Sequence, residues 1–523
     1  MMNQVWAKVC GATASASLVV CLWVGSARAE LKLPHMFTDH AVLQRDMPVP
    51  VWGTADPGAD VDVVIAGQTL KTKADDKGNW SVTLKPLKVG EPLKLVVESG
   101  KDRKEVKDIL AGEVWLCSGQ SNMEWPLSAA MSGDLEVSAA NHPQIRLVRV
   151  KGPGSQTPVE DFSGKWEVCT PESAKGFSAV GYFFGRELND QLGVPIGLVD
   201  DSWGGSACEA WISRERMEGN PMYDALVKKW DADVKNFDEA KAKAAMAEWQ
   251  KKADEAKKEG KPAPPNRPAF DPPAGSNHRP ANLYHARLEP VMPYAIRGVV
   301  WYQGESNAGR AYQYRDMFPL MIKSWREDWK QGDFPFYFVQ LADFMDEKAE
   351  PGDSTWAELR EAQTLTQDKL PNTGQAVIID LGEASNIHPV NKHEVGRRLA
   401  RLALAHDYGK QVESKSPRYD SMEKKDDKVV LKFKDVGTGL RNVDAKDAKG
   451  FAIAGEDRKW HWATARIIGP DQIEVWSKEV KEPAAVRYAW ADNPVCNVYS
   501  QSMLPLTPFR TDDWDGVTKG KLE

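Results

Sequence analysis

The sequence predicts a mixed α/β protein: a three-layer α/β/α domain, flanked at each end by a β-sandwich-like module and interrupted by a helical insert. Three observations carry that prediction. The middle of the chain holds uninterrupted apolar runs, GEVWLCSG (112–119), IGLV (196–199), GVVWY (298–302) and FPFYFVQL (334–341), separated by longer helical stretches. Parallel strands covered on both faces require such runs. Both ends of the chain instead show short alternating runs broken by turn residues. Residues 223–260 are a tract of Ala, Lys, Asp and Glu with sparse apolar positions.

Taken in order, residues 1–29 read as a leader peptide. Lys8 supplies the positive end, Ala12 to Trp23 is apolar, and Ala27-Arg28-Ala29 forms an A-x-A cleavage site. Export follows, to the periplasm or the medium, with no further apolar run long enough for a membrane span. Residues 30–105 carry VPVWG, DVDVVIAG, NWSVTL and LKLVVES between the turns ADPGA and ADDKGN, a small β module. Residues 106–215 and 276–408 are the two parts of the α/β domain. Between them, residues 216–275 form the charged insert, one long helix or a helical hairpin, and its Pro-rich return. Such a tract predicts a solvated element with few core contacts and no catalytic role. Residues 409–523, with KVVLKFKDV, GFAIAG, QIEVWS and AAVRYAW, form a second β module.

Composition narrows the function. A net charge of −7 argues against a nucleic-acid partner, which needs a concentrated basic face. Twenty Trp lean mildly toward sugar stacking, although cores use Trp more often. Removal of the leader leaves Cys117, Cys169, Cys208 and Cys496, whose spacing fits no dense disulfide framework. The nine histidines show no metal-ligand spacing, so no metal or other cofactor is expected.

Four strand ends carry polar groups. GEVWLCSGQSNMEW (112–125) stops an apolar strand in Ser118-Gly119-Gln120-Ser121-Asn122. A tight turn there presents a hydroxyl at the carboxyl edge of the sheet, where open α/β folds bind ligands. The pattern is G-x-S-x-N, and a turn or helix-cap serine is the competing explanation. DDSWGGSACEAW (200–211) offers paired glycines that can aim a backbone N–H at an oxyanion. GVVWYQGESN (298–307) ends in Gln303, Gly304, Glu305, Ser306 and Asn307, and the loop after IIDLG carries His388 before Pro389.

In order and wording these four segments resemble the sialate O-acetylesterase family of SGNH hydrolases. LPHMFTDHAVLQRDMPVPVWG (33–53) and NPVCNVYSQSMLPLTPFRTDDW (493–514) extend the resemblance to nearly the whole chain outside the insert. It implies an SGNH-type three-layer α/β/α hydrolase with Ser121 as nucleophile and His388 as general base. The oxyanion donors implied are the N–H of Ser121, that of Gly205 or its neighbour Gly204, and the amide of Gln303 or Asn307, Gln303 being preferred. Asn122, Asn307 and Trp203 are candidate substrate contacts. Relatives often carry an acid two residues before the histidine, and the wider superfamily one three before; here those positions are Asn386 and Ser385. The site is therefore a dyad, or the acid comes from elsewhere. Glu305 is the first candidate, as in related acetylxylan esterases, ahead of Asp380 and Glu383.

The expectation is an exported serine esterase that removes O-acetyl groups from a sugar or glycan. Two alternatives are an acetylxylan or acetyl-xyloglucan esterase, and a non-catalytic carbohydrate-binding protein on a hydrolase scaffold. Oligomeric state is not legible.

Overall fold

The computed structural model describes residues 30–265, 268 and 272–523. The leader read in residues 1–29 and part of the Pro-rich return lie outside these. A large central sheet organises the molecule. Seven of its eleven strands form the main path and are, in chain order, β1 (Asp102–Gly119), β2 (His142–Arg149), β3 (Glu167–Cys169), β4 (Ile196–Ser202), β5 (Gly298–Tyr302), β6 (Phe336–Gln340) and β7 (Thr373–Val377). In space they run β7-β6-β5-β1-β4-β2-β3. All neighbours on this path are parallel except β2 and β3. The apolar runs read as strands are strands, and every residue of β4, β5 and β6 is buried.

Strand β1 joins two parts that the sequence separates near residue 106. Its first residues pair antiparallel with Leu93–Ser99 of the N-terminal β module, and its last pair with β4 and β5. The change from alternating to continuous burial falls inside one strand, because its two halves have different neighbours.

The helices include α1 (Ser121–Glu124), α2 (Ala179–Leu192), α3 (Asp224–Asn236), α4 (Glu239–Lys258), α5 (Ala311–Trp329), α6 (Thr355–Lys369) and α7 (Lys392–His406). Their ends follow local chemistry. The Ser178 hydroxyl accepts the Gly181 N–H at the start of α2, Ser354 caps α6 through Ala357, and Asn391 caps α7 through Glu394. The insert forms two successive helices, α3 and α4, separated by Phe237 and Asp238. Helix α4 buries nothing, as its composition predicts, but α3 places Leu226 and Val227 in the main core. The expectation of few core contacts holds for α4 and is corrected for α3, where Trp230 packs against the same core as the two buried residues and Asp231 pairs with Arg214 at 2.5 Å.

Much of the tryptophan serves packing. Trp115, Trp166, Trp211, Trp301 and Trp325 are fully buried, and Trp301 meets Trp211 and Trp325 edge to face at 5.9 and 5.7 Å. The C-terminal β module has its own core around Leu431, Ile453, Ile473 and Val486. Cys117, Cys169, Cys208 and Cys496 are free thiols.

Candidate active site

The end of β1 explains the polar run that follows it. In register, Gly119 lies beside both Ser202 of β4 and Tyr302 of β5. Its φ is +137°, and a Cβ there would stand 2.2 Å from the Tyr302 carbonyl oxygen. Only glycine lets three strand ends meet so closely. The chain then turns, Gln120 donating its N–H to Tyr302 O at 3.0 Å, and Ser121 becomes the first residue of α1. At that position a backbone N–H has no partner within the helix. Strand β1 is also where the sheet's connections diverge, since later strands lie on both its sides.

Ser121 and His388, 267 residues apart, meet here: the serine hydroxyl and His388 Nε2 are hydrogen-bonded at 2.8 Å. The His388 loop is held by its own side chains. Asn386 Oδ1 accepts the His388 N–H at 3.0 Å, and Asn386 Nδ2 donates to His388 O at 2.8 Å and to Glu383 at 3.1 Å. Glu383 also accepts the Val390 N–H at 2.8 Å. The Trp125 indole stacks on the imidazole, ring centres 4.9 Å apart and planes 19° from parallel. Burial, and after it the nearby Lys392 cation, holds the His388 pKa below its ordinary value, which favours the neutral imidazole. His393 is exposed.

Among the described residues Glu305 makes no hydrogen bond or ion pair with His388. Its Oε1 accepts from Asn122 Nδ2 at 2.5 Å, while Oε2 is buried with no hydrogen-bond partner among the described residues. Asn122 also donates to Ile387 O at 3.0 Å and accepts from the buried Lys392 ammonium. Asn122 is thus a bridge beneath the serine and is itself buried, so the structure does not place it as a substrate contact. Burial raises the Glu305 carboxyl and lowers Lys392 to about 7, with Glu305 and Glu383 opposing the latter shift. His388 Nδ1 makes no hydrogen bond among the described residues. Asp380 is taken by Arg398 at 2.6 and 2.8 Å.

The predicted oxyanion donors separate into two groups. Gln303 is fully buried, its amide donating to Asn307 Oδ1 at 2.7 Å and Ser206 O at 3.2 Å while Tyr314 donates to its Oε1 at 2.9 Å. Asn307 is buried on Glu209 and the Cys208 N–H. Both amides brace the glycine loop from behind and are not free to face the cleft. Trp203 lies under the Arg287 guanidinium at 5.1 Å. Gly204 comes close to Ser121: a Cβ on it would be 3.5 Å from Ser121 Cβ. Its N–H is held by Glu124 Oε2 at 2.6 Å. Gly205, at φ +72°, has no acceptor for its N–H among the described residues, and its carbonyl accepts from Ser306 at 2.9 Å. A cleft of about 380 Å³ opens onto Ser121 and His388, walled by Glu124, Trp125, Arg149 and Gly176.

The family model described as carbohydrate esterase, sialic acid-specific acetylesterase, matches residues 111–262 and 278–405. The chain belongs to this family. It is accordingly a carboxylic ester hydrolase. The sialate O-acetylesterase of Mus musculus is 30% identical over 94% of this chain and 96% of its own length, and that of Homo sapiens 28% identical over 94% and 95%. The crystal structure of a carbohydrate acetylesterase from Xanthomonas citri matches with a TM-score of 0.79 at 38% identity, covering 92% of this chain and all of that one.

Around Ser121 and His388, sequence reasoning missed Lys392, Glu124, Trp125 and Arg149. Lys392 lies only four residues past His388, at the first position of α7, and that nearness in sequence was the available signal. Trp125 and Glu124 stood inside the serine segment as ordinary helix residues. Nothing in the sequence tied Arg149 to the site.

Proposed function

We propose that the protein is an exported carbohydrate O-acetylesterase of the sialate O-acetylesterase type, acting through Ser121 and His388 in an SGNH-type three-layer domain. The observation that carries the reading is the 2.8 Å hydrogen bond between Ser121 and His388 Nε2 at the point where the sheet's connections diverge. His388 takes the serine proton as the hydroxyl oxygen attacks the acetyl carbonyl carbon. The N–H groups of Ser121 and Gly205 are the available donors for the oxyanion. Gly204 N–H joins them once Glu124 gives it up. His388 then protonates the departing sugar oxygen, leaving an acetyl-serine. Water, deprotonated by the same imidazole, releases acetate and restores the serine.

With no carboxylate on His388 Nδ1, the reading is a Ser–His dyad, with Glu305 acting at one remove through Asn122. Export rests on residues 1–29 alone; among the described residues no helix is long and apolar enough to cross a membrane. The domain limits at 30, 106, 216, 276 and 409 are likewise our division. The mature N-terminus of protein from the native host tests export, with Glu30 expected first.

The test of the mechanism is Ser121→Ala, with acetate release from O-acetylated sugars as the assay. Loss of several orders of magnitude with the fold retained is expected. Ser118→Ala, whose buried hydroxyl has no hydrogen-bond partner among the described residues, is the control. An active Ser121→Ala beside a dead Ser118→Ala refutes the assignment.

A further inference from the structure

The cleft that opens on Ser121 and His388 also holds a guanidinium that the hydrolytic steps do not use. Arg149 ends β2, in register with Asp200 of the neighbouring β4. Its Nε faces Asp200 Oδ2 at 3.5 Å, and Asp200 is engaged on its other oxygen by the Ser202 hydroxyl at 2.5 Å. The two terminal nitrogens have no hydrogen-bond partner among the described residues, and 38% of the side chain is exposed. Gly176, across from the fork, has φ −101°, a conformation open to any residue. A Cβ there would stand 3.7 and 3.8 Å from the two terminal nitrogens, so glycine leaves room in front of them.

Arg149 and Gly176 also line a second, larger groove of about 780 Å³, floored by Trp166 and carrying Lys151 and Lys165. The arginine therefore stands where the catalytic cleft meets the groove. A planar fork, steadied from behind by a buried carboxylate and open in front, matches the two oxygens of another carboxylate. We propose that Arg149 binds the carboxylate of an acidic sugar whose acetyl ester lies at Ser121, and that the groove receives the rest of the glycan. The proposal rests on the Ser121 reading and adds to it the residue that selects an acidic sugar. Glu124, on the cleft wall, is turned toward Gly204 N–H and is no ion-pair partner of Arg149.

A sialic acid and a uronic acid both offer this group. The experiment measures kcat/KM for acetate release from two matched pairs, each an O-acetylated acid and its methyl ester: one of N-acetylneuraminic acid, one of glucuronic acid. The ratio of acid to methyl ester is the readout, because loss of folded enzyme cancels in it. The wild type should favour one acid over its ester by about 10- to 100-fold, the span of a charge-assisted bidentate contact. The pair with the larger ratio identifies the sugar. Arg149→Gln should bring that ratio close to one, and Arg149→Lys should leave part of it. A wild-type ratio near one in both pairs, or a ratio that Arg149→Gln does not change, overturns the proposal. Ser121→Ala run in parallel separates the two failures. Turnover that survives it refutes the nucleophile; a ratio indifferent to Arg149 refutes only the anchor.

Discussion

Glu305→Gln decides between a dyad and a triad, and the structure sets the size of the effect. Among the described residues the carboxylate reaches Ser121 and His388 only through Asn122, by a 2.5 Å bond to Oε1. Glutamine keeps an oxygen in that place and removes the charge. A hydrogen bond to a charged group contributes about 1.5–3 kcal/mol, and a neutral one about 0.5–1.5 kcal/mol. The difference is roughly 1–1.5 kcal/mol. If all of it is felt in the transition state, kcat falls by about tenfold. An acid bonded directly to the imidazole would behave otherwise, its neutralisation costing about 10⁴. KM should change little, because Asn122 and Glu305 lie beneath the serine. The assay is kcat on an acetylated sugar at pH 8, with thermal unfolding as the control for folding. A loss of 10³ or more in a folded variant would show that Glu305 serves His388 directly, and the dyad reading fails.

Three further outcomes follow from the same geometry. The neighbouring Lys392 cation helps to hold His388 below its ordinary pKa, so kcat/KM should fall only as pH drops below about 6.5. In Lys392→Met that acid limb should move to higher pH; an unmoved limb in the pH–rate profile counts against the coupling. Asn386→Asp should lower kcat by about tenfold, because it removes the donor to His388 O and sets a second carboxylate against Glu383. A gain in kcat would mean that the new acid reaches the imidazole. Excising 239–258 with a short Gly/Ser bridge should shift Tm by no more than a few degrees, since α4 buries nothing, whereas Leu226→Ala should cost about 2–5 kcal/mol in denaturant unfolding.

How much of this was legible depended on whether a signal was local. Continuous apolar runs revealed the central strands, because burial on both faces is written into each strand alone. The two β modules showed through alternation for the same reason. The extent of β1 did not, since its halves change partners without any break in strand-forming residues. The anchoring of α3 was hidden in a few residues within a charged tract. Ser121 and His388 were legible as polar groups at strand ends, and their 2.8 Å contact is what the topology adds.

The misplaced residues share one cause. Gln303, Asn307 and Asn122 are amides beside strand ends, and from sequence an amide that supports a loop looks the same as one that faces a substrate. What separates them is whether their hydrogens already have acceptors. Gln303 finds its acceptors on Ser206 and Asn307, the former 97 residues away, and Asn122 finds Glu305 183 residues away. Those partners are set by the register of β1, β4 and β5 around Gly119. The acid shows the same logic in reverse. The sequence could say only that no carboxylate stands two or three residues before His388. The fold shows Asn386 at that place holding the loop by both amide atoms, a task an aspartate cannot perform. The missing acid is therefore an exchange of roles: the residue that would tune the base electrostatically instead fixes its backbone, and the charge near the site comes from Lys392 and Glu305, joined through Asn122.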